Sequence, residues 1–182
     1  MIHSVRPIGA GAVLLLLAAC GPAEEQRAPA TPPAKPSFDQ TVPGVQATIA
    51  GLGAPWAKPS SHEVVPDAAS GGTIIATGGD GGTAKLYRLP DGWISRVELT
   101  SGVGKSCGDP ADVDRAIPLL LTGLATKVTL NAAQAQQLKA SLAAGPPVSV
   151  SLRGVRVTVQ SGCVQALTVT SLSQPAAAPS RL

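Results

Sequence analysis

Aromatic side chains are scarce. The 182-residue chain holds one Phe, one Tyr and two Trp. A stacking platform for sugars, or a groove for single-stranded nucleic acid, draws on several rings along one surface. Phe38, Trp56, Tyr87 and Trp93 are too few to favour either function, and Val, Leu, Ile and Ala must build the core. Clustered Lys/Arg stripes are missing too, so the mild positive balance of +3 does not describe a nucleic-acid binder. There is no C-x-x-C pair for dithiol redox chemistry and no G-x-S-x-G elbow for a serine nucleophile. The apolar run from Ile8 to Leu17 is ten residues, too short to stay in a bilayer as a spanning helix.

That short run opens the chain in a recognisable setting. Arg6 and the free amino group precede it and small residues follow, the layout of a secretory leader. Leu17-Ala18-Ala19-Cys20 then resembles the lipobox of bacterial lipoproteins: an aliphatic residue, two small residues and a cysteine. The resemblance covers the first twenty-one residues and leaves the domain behind them unassigned. It implies that residues 1–19 are a signal peptide and that the Cys20 thiol carries a diacylglyceryl group, with a further acyl chain such as palmitate on the new amino terminus. One chain anchors only marginally, at about 0.8 kcal/mol per buried methylene, so two or more are needed. Gly21, where Asp would signal retention, implies the outer membrane facing the periplasm over the inner membrane. Loss of Arg6 with the leader leaves 163 residues with 13 basic against 11 acidic side chains.

With Cys20 assigned to lipid, Cys107 and Cys163 remain as an even pair in an oxidising compartment, which points to a disulfide. Two thiols and the lone remaining imidazole, His62, do not complete a tetrahedral metal site.

Residues 20–43 carry the lipid attachment and a Pro/Ala-rich tether, since six prolines and scattered charge between 21 and 43 cannot bury enough apolar surface to fold. Residues 174–182 read as a disordered tail on the same composition. One domain is expected between, at 44–173. VQATIA (45–50) reads as a first strand and 52–72, with three prolines, as an irregular connection holding Trp56 and His62. Two hairpins follow from alternation. In the first, a two-residue loop at Asp91-Gly92 pairs Leu86 with Val97, Ala84 with Leu99 and Lys85 with Glu98. In the second, a turn at Arg153-Gly154 pairs Leu152 with Val155, Val150 with Val157 and Val148 with Val159, all on one face. A three-residue loop at 160–162 then sets Cys163 opposite Val159, and so into the core, with Leu167 opposite Val155. Gln165 is the one misfit on that face. Asp109 caps a helix begun by Pro110 and ended by Pro118, and Asn131 caps another at 132–143, closed by Gly145. The helical face is Ala132, Ala135, Leu138 and Leu142. The expected order is strands, helix, strand, helix, strands: an α+β fold with a small, mainly antiparallel sheet of hairpins, two short helices and one disulfide.

Several motifs suggest chemistry and then lose it on inspection. Gly102, Gly104, Lys105 and Ser106 look like the end of a phosphate loop, but that loop needs glycine at position 99, which is Leu, and a helix straight after the Lys-Ser pair. No nucleotide is expected. Asp109, Asp112 and Asp114 form an acidic cluster, explained by a cap and a helix's first turn without calcium. A single Gly78-Gly79-Asp80-Gly81-Gly82 stretch reads as a hairpin turn, because glycine-repeat calcium sites need stacked copies. His62 in a Pro-flanked loop is the candidate base, and Glu63, Asp67, Asp80 and Asp91 supply possible carboxylate pairs without selecting two. Lys85, Arg88, Arg96, Arg153 and Arg156 could gather on one sheet surface and meet anionic lipid or cell-wall polymer.

The sequence therefore leads to a lipid-anchored envelope protein, more a binding or scaffolding module than a catalyst, with no catalytic, cofactor or metal residues assigned. Its partners are the membrane, through the anchor, and an envelope protein or the cell wall. The alternatives are a small envelope hydrolase using His62 or a carboxylate pair, and a periplasmic enzyme inhibitor acting through loop 78–82. Converging acids around His62 would favour the first; an exposed patch of Trp56 or the arginines would favour binding.

Overall fold

The computed structural model describes residues 37–79, 81–102, 106–124 and 126–172. Cys20, Asp80, Gly104, Lys105 and the tail at 174–182 lie outside the described residues. The elements run α1 (Val42–Gly51), β1 (Ser61–Asp67), β2 (Gly72–Gly79), β3 (Gly82–Arg88), β4 (Ile94–Ser101), α2 (Pro110–Gly123), α3 (Ala132–Ala144), β5 (Val148–Leu152), β6 (Val155–Gln160) and β7 (Gln165–Ser171). The seven strands make one antiparallel sheet in the order β1-β2-β3-β4-β7-β6-β5. Four strands form a meander. The chain then crosses through α2 and α3 to the far edge and returns by β5 and β6, until β7 pairs with β4.

Strand alternation decides which face is covered. Ile75, Leu86, Val97, Val169, Val157 and Val150 lie in one row of register partners, and Ala84, Leu99, Leu167 and Val159 in the next. These residues join Val45 and Ile49 of α1, Ile117, Leu120 and Leu121 of α2, and Leu138 and Leu142 of α3 in one core. All three helices bury on this face. The other face carries Thr83, Lys85, Arg96, Glu98, Thr100, Arg156, Thr158, Thr168 and Thr170, none of which belongs to that core. Hydropathy with a period of two thus makes a two-layer sandwich with one bare side.

Both expected hairpin registers are present, including Lys85 opposite Glu98 and all three valine and leucine pairs of β5 and β6. The first hairpin closes differently. Leu89 N–H donates to Trp93 O (2.8 Å) and Gly92 N–H to Leu89 O (3.0 Å), so the tip is a three-residue loop, Pro90-Asp91-Gly92. Ser95 is then an extra residue: Arg88 faces Ile94 while Tyr87 faces Arg96. The bulge restores the register that puts Leu86 against Val97. In the β6–β7 hairpin the last pair is Gln160 with Ala166, so five residues separate the paired positions in place of three, and Val159 faces Leu167. The slip of four residues is even, so every side chain keeps its face. Cys163, however, moves off the strand into the loop and is exposed, not in the core. Gln165 remains on the core face at 5% exposure, its Nε2 donating to Gly162 O (2.7 Å) and its Oε1 unpartnered.

Other expectations are corrected as well. Residues 45–50 are helical, giving three helices in place of two: Pro43 suits the first turn, and Val45, Ile49 and Leu52 are buried at i, i+4 and i+7. The segment 52–72 contains β1, an edge strand whose residues are mostly exposed. Pro118 sits inside α2 and does not end it. It is exposed, so water can serve the carbonyl it leaves unbonded, while five buried apolar residues on the opposite side hold the helix. The strand expected between the two helices does not form among the described residues, 126–130, of that connection. Folded structure also begins before residue 44: Phe38 is buried and its N–H donates to Ile94 O (2.9 Å). Helix α3 buries Leu138 and Leu142 as expected but leaves Ala132 and Ala135 exposed.

The Asn131 cap of α3 is a full capping box, with Asn131 Oδ1 accepting from Gln134 N–H (2.9 Å) and Gln134 Oε1 accepting from Asn131 N–H (3.0 Å). Asn131→Ala is expected to cost about 1 kcal/mol, read as a lower urea midpoint at unchanged slope.

Candidate functional site

The sequence candidates separate across the fold. His62, on β1, is exposed and shares the helix-side face of the sheet with Val64. It borders a cavity of about 440 Å³ beside α1, floored by Ile49, Trp56 and Leu86 and rimmed by Gln46, Ser60 and Thr77. None of the lining residues is acidic. Glu63 points to the opposite face by alternation, and Asp91 sits in the β3–β4 tip, accepting from Trp93 N–H (3.1 Å). No general base–acid pair forms around His62 among the described residues.

The acidic cluster on α2 is also divided. Asp109 caps the helix through Ala111 N–H (2.8 Å), Asp112 pairs with Arg115 (2.9 Å), and Asp114 reaches Lys139 of α3 (3.8 Å). No group of three His, Cys, Asp or Glu side chains suited to a metal occurs among the described residues.

The glycines of the β2–β3 hairpin have a packing role. Pro55 and Trp56 lie across the turn, and a Cβ at Gly82 would sit 2.8 Å from Pro55 Cγ and 3.0 Å from Trp56 Cδ1. Gly82 is therefore covered by these two residues. Trp56 is buried, with Nε1 donating to Thr100 O (2.8 Å), so it contributes to no exposed patch.

Cys107 and Cys163 form the disulfide. It lies at the surface, where Gly108 N–H donates to Cys163 O (2.8 Å). Gly102 is pressed against this junction. Its φ is +88°, and a Cβ there would stand 2.2 Å from Cys163 O. The first glycine of the apparent phosphate loop thus belongs to the bond's support.

The basic residues divide by face. Lys85, Arg96 and Arg156 lie on the bare face, Arg88 on the other side with Nε donating to Thr73 Oγ1 (3.1 Å), and Arg153 in the β5–β6 turn. Arg96 is the most constrained. Its guanidinium lies over the Tyr87 ring, 3.5 Å from the centroid, and its Nε is buried without a hydrogen-bond partner. Tyr87 OH donates to Glu98 Oε2 (2.9 Å). Burial of the phenol raises the Tyr87 pKa, and the bonded, like-charged Glu98 raises it further, so the hydroxyl stays a donor at neutral pH. Thr170 lies between Arg96 and Arg156 in register.

A cavity of about 280 Å³ opens beside Arg96, over Tyr87 and Leu89, with Asp67 and Ser70 on its far wall. Asp67 accepts from Ser70 Oγ (2.6 Å) and Ala69 N–H (3.1 Å). The Ser70 bond is the main cause of its lowered pKa, and Arg96 adds a smaller attraction. Sequence reading names Arg96 only as one of several surface cations. The signal for more is present in the chain, because the register that pairs Lys85 with Glu98 also sets Tyr87 opposite Arg96. No family model, curated protein or solved structure matches the chain.

Proposed function

We propose that the chain is a lipid-anchored binding module of the cell envelope, attached through acylated Cys20 at the outer membrane and presenting the bare sheet face to an envelope partner. The observation carrying this reading is the asymmetry of the sandwich. Three helices cover most of one face, while the other offers a row of hydroxyls and cations led by Arg96, which is stacked on Tyr87. A rigid sheet that presents polar groups, with no converged nucleophile, base or metal set among the described residues, suits recognition better than catalysis. The hydrolase alternative draws no support from His62, since none of the described residues lining its cavity is acidic. The inhibitor alternative draws none from Gly82, which lies under Pro55 and Trp56.

Two measurements test the reading. Cys20→Ser should move the protein from the membrane pellet to the soluble fraction; unchanged membrane association removes the anchor. A photo-crosslinker at Thr168, in the centre of the bare face, should capture an envelope component in intact cells that the same group at exposed Gln136 of α3 does not. Equal capture at both positions removes the face.

A further inference from the structure

The cavity beside Arg96 has charges of opposite sign on facing walls. Among the described residues the ion pairs are Asp112–Arg115 and Asp114–Lys139, so Arg96 and Asp67 border one space without closing on each other. Arg96 is held by stacking on Tyr87, which fixes the guanidinium plane, and it lines the cavity wall. A guanidinium without a paired carboxylate is best satisfied by an oxyanion, and it matches a carboxylate through two parallel hydrogen bonds. Glu98, the other carboxylate near Arg96 on this face, is engaged by Tyr87 OH. Asp67 keeps its charge, fixed by the turn bonds from Ser70 and Ala69, and can receive a cation. Leu89, 3% exposed, and the Tyr87 ring supply an apolar floor between them.

We propose that this cavity binds a free α-amino acid, its carboxylate on Arg96 and its ammonium toward Asp67, with the side chain over Leu89. A single anion would meet the Asp67 charge, and a single cation would meet Arg96; only a zwitterion suits both walls. A space of about 280 Å³ is close to the lower end of the range for small-molecule sites and fits a ligand of this size. The proposal deepens the binding-module reading by naming a ligand for the bare face.

The test is a titration of the full chain with alanine, followed through the backbone amide signals of Tyr87, Arg96 and Thr170. Saturable shifts are expected with alanine, and shifts at least about tenfold weaker in apparent affinity with acetate or methylammonium alone. Arg96→Gln and Asp67→Asn should each weaken alanine binding by about tenfold or more, since a charge-assisted contact is lost. Both positions lie outside the main core, and Asn at 67 keeps one acceptor oxygen where Asp67 uses two, for Ser70 and Ala69, so an unchanged melting temperature is the check that the variants fold. Absence of saturable shifts with alanine overturns the proposal, as does undiminished binding in Arg96→Gln. Acetate binding as tightly as alanine overturns the role of Asp67 and hence the zwitterion. Capture from position 168 that persists while alanine fails to bind leaves the module reading standing and removes this site alone.

Discussion

Replacing Cys107 and Cys163 together with serine is expected to lower the free energy of unfolding by about 4 kcal/mol. The bond joins residues 56 apart, and the chain-entropy relation assigns that amount to a closed loop of this length. The loop encloses α2, α3, β5 and β6, so without it the unfolded chain regains the freedom of the whole crossover connection. For a domain whose total stability is of the order of 5–15 kcal/mol, this is a large share. The expected signature is a lower urea midpoint for the double variant, and a similar drop for the native protein in reductant. Because both sulfurs lie in exposed residues, reductant should reach them without prior unfolding. A midpoint that stays within error after complete reduction would show that the loop is held by packing alone. The single variant Cys107→Ser should behave like the double one in stability while leaving one reactive thiol.

The surface position of that bond illustrates what the sequence could carry. Pairing of Cys107 with Cys163 followed from elimination, and alternation correctly fixed which face of β7 is buried. The hairpin length was not encoded in alternation, because slips by an even number of residues keep the same face. The outcome therefore rested on which partners Leu167 and Val169 found, and those lie across both β6 and β4. The β3–β4 register was legible because Lys85 and Glu98 added a charge match to the apolar one. Helix α1 was not, because Val45, Thr48 and Ile49 read as β-formers locally, while the burial of Val45, Ile49 and Leu52 at helical spacing depends on where the sheet lies. Strand β1 was hidden for a related reason. No helix covers its outer part, so His62 and Val64 stay exposed and no hydrophobic alternation marks the strand. Of the candidate site, the individual charges were visible in the chain. The Arg96–Tyr87 stack and the facing Asp67 required the register and the β1–β2 turn together.

Trp56→Ala is expected to destabilise the protein by about 3–5 kcal/mol, the range for deleting a large aromatic side chain from a core. Trp56 is 4% exposed. It packs on Gly82 and ties the loop before β1 to β4 through Nε1–H and Thr100 O. Removing the indole empties the floor of the cavity at His62 and leaves that carbonyl without its donor. Trp56→Phe separates the two effects: most of the apolar contact remains and the hydrogen bond does not, so a loss of about 1–3 kcal/mol is expected. Far-UV circular dichroism in urea reads both variants without relying on the missing fluorophore. Gly82→Ala supplies the coupling test. Its new methyl would press on Pro55 and the indole, so it should destabilise the native protein and be tolerated better beside Trp56→Ala. Strict additivity in that cycle would mean that the glycine is required by the turn itself, and that the Gly-rich hairpin was shaped for the backbone and not as a seat for Trp56.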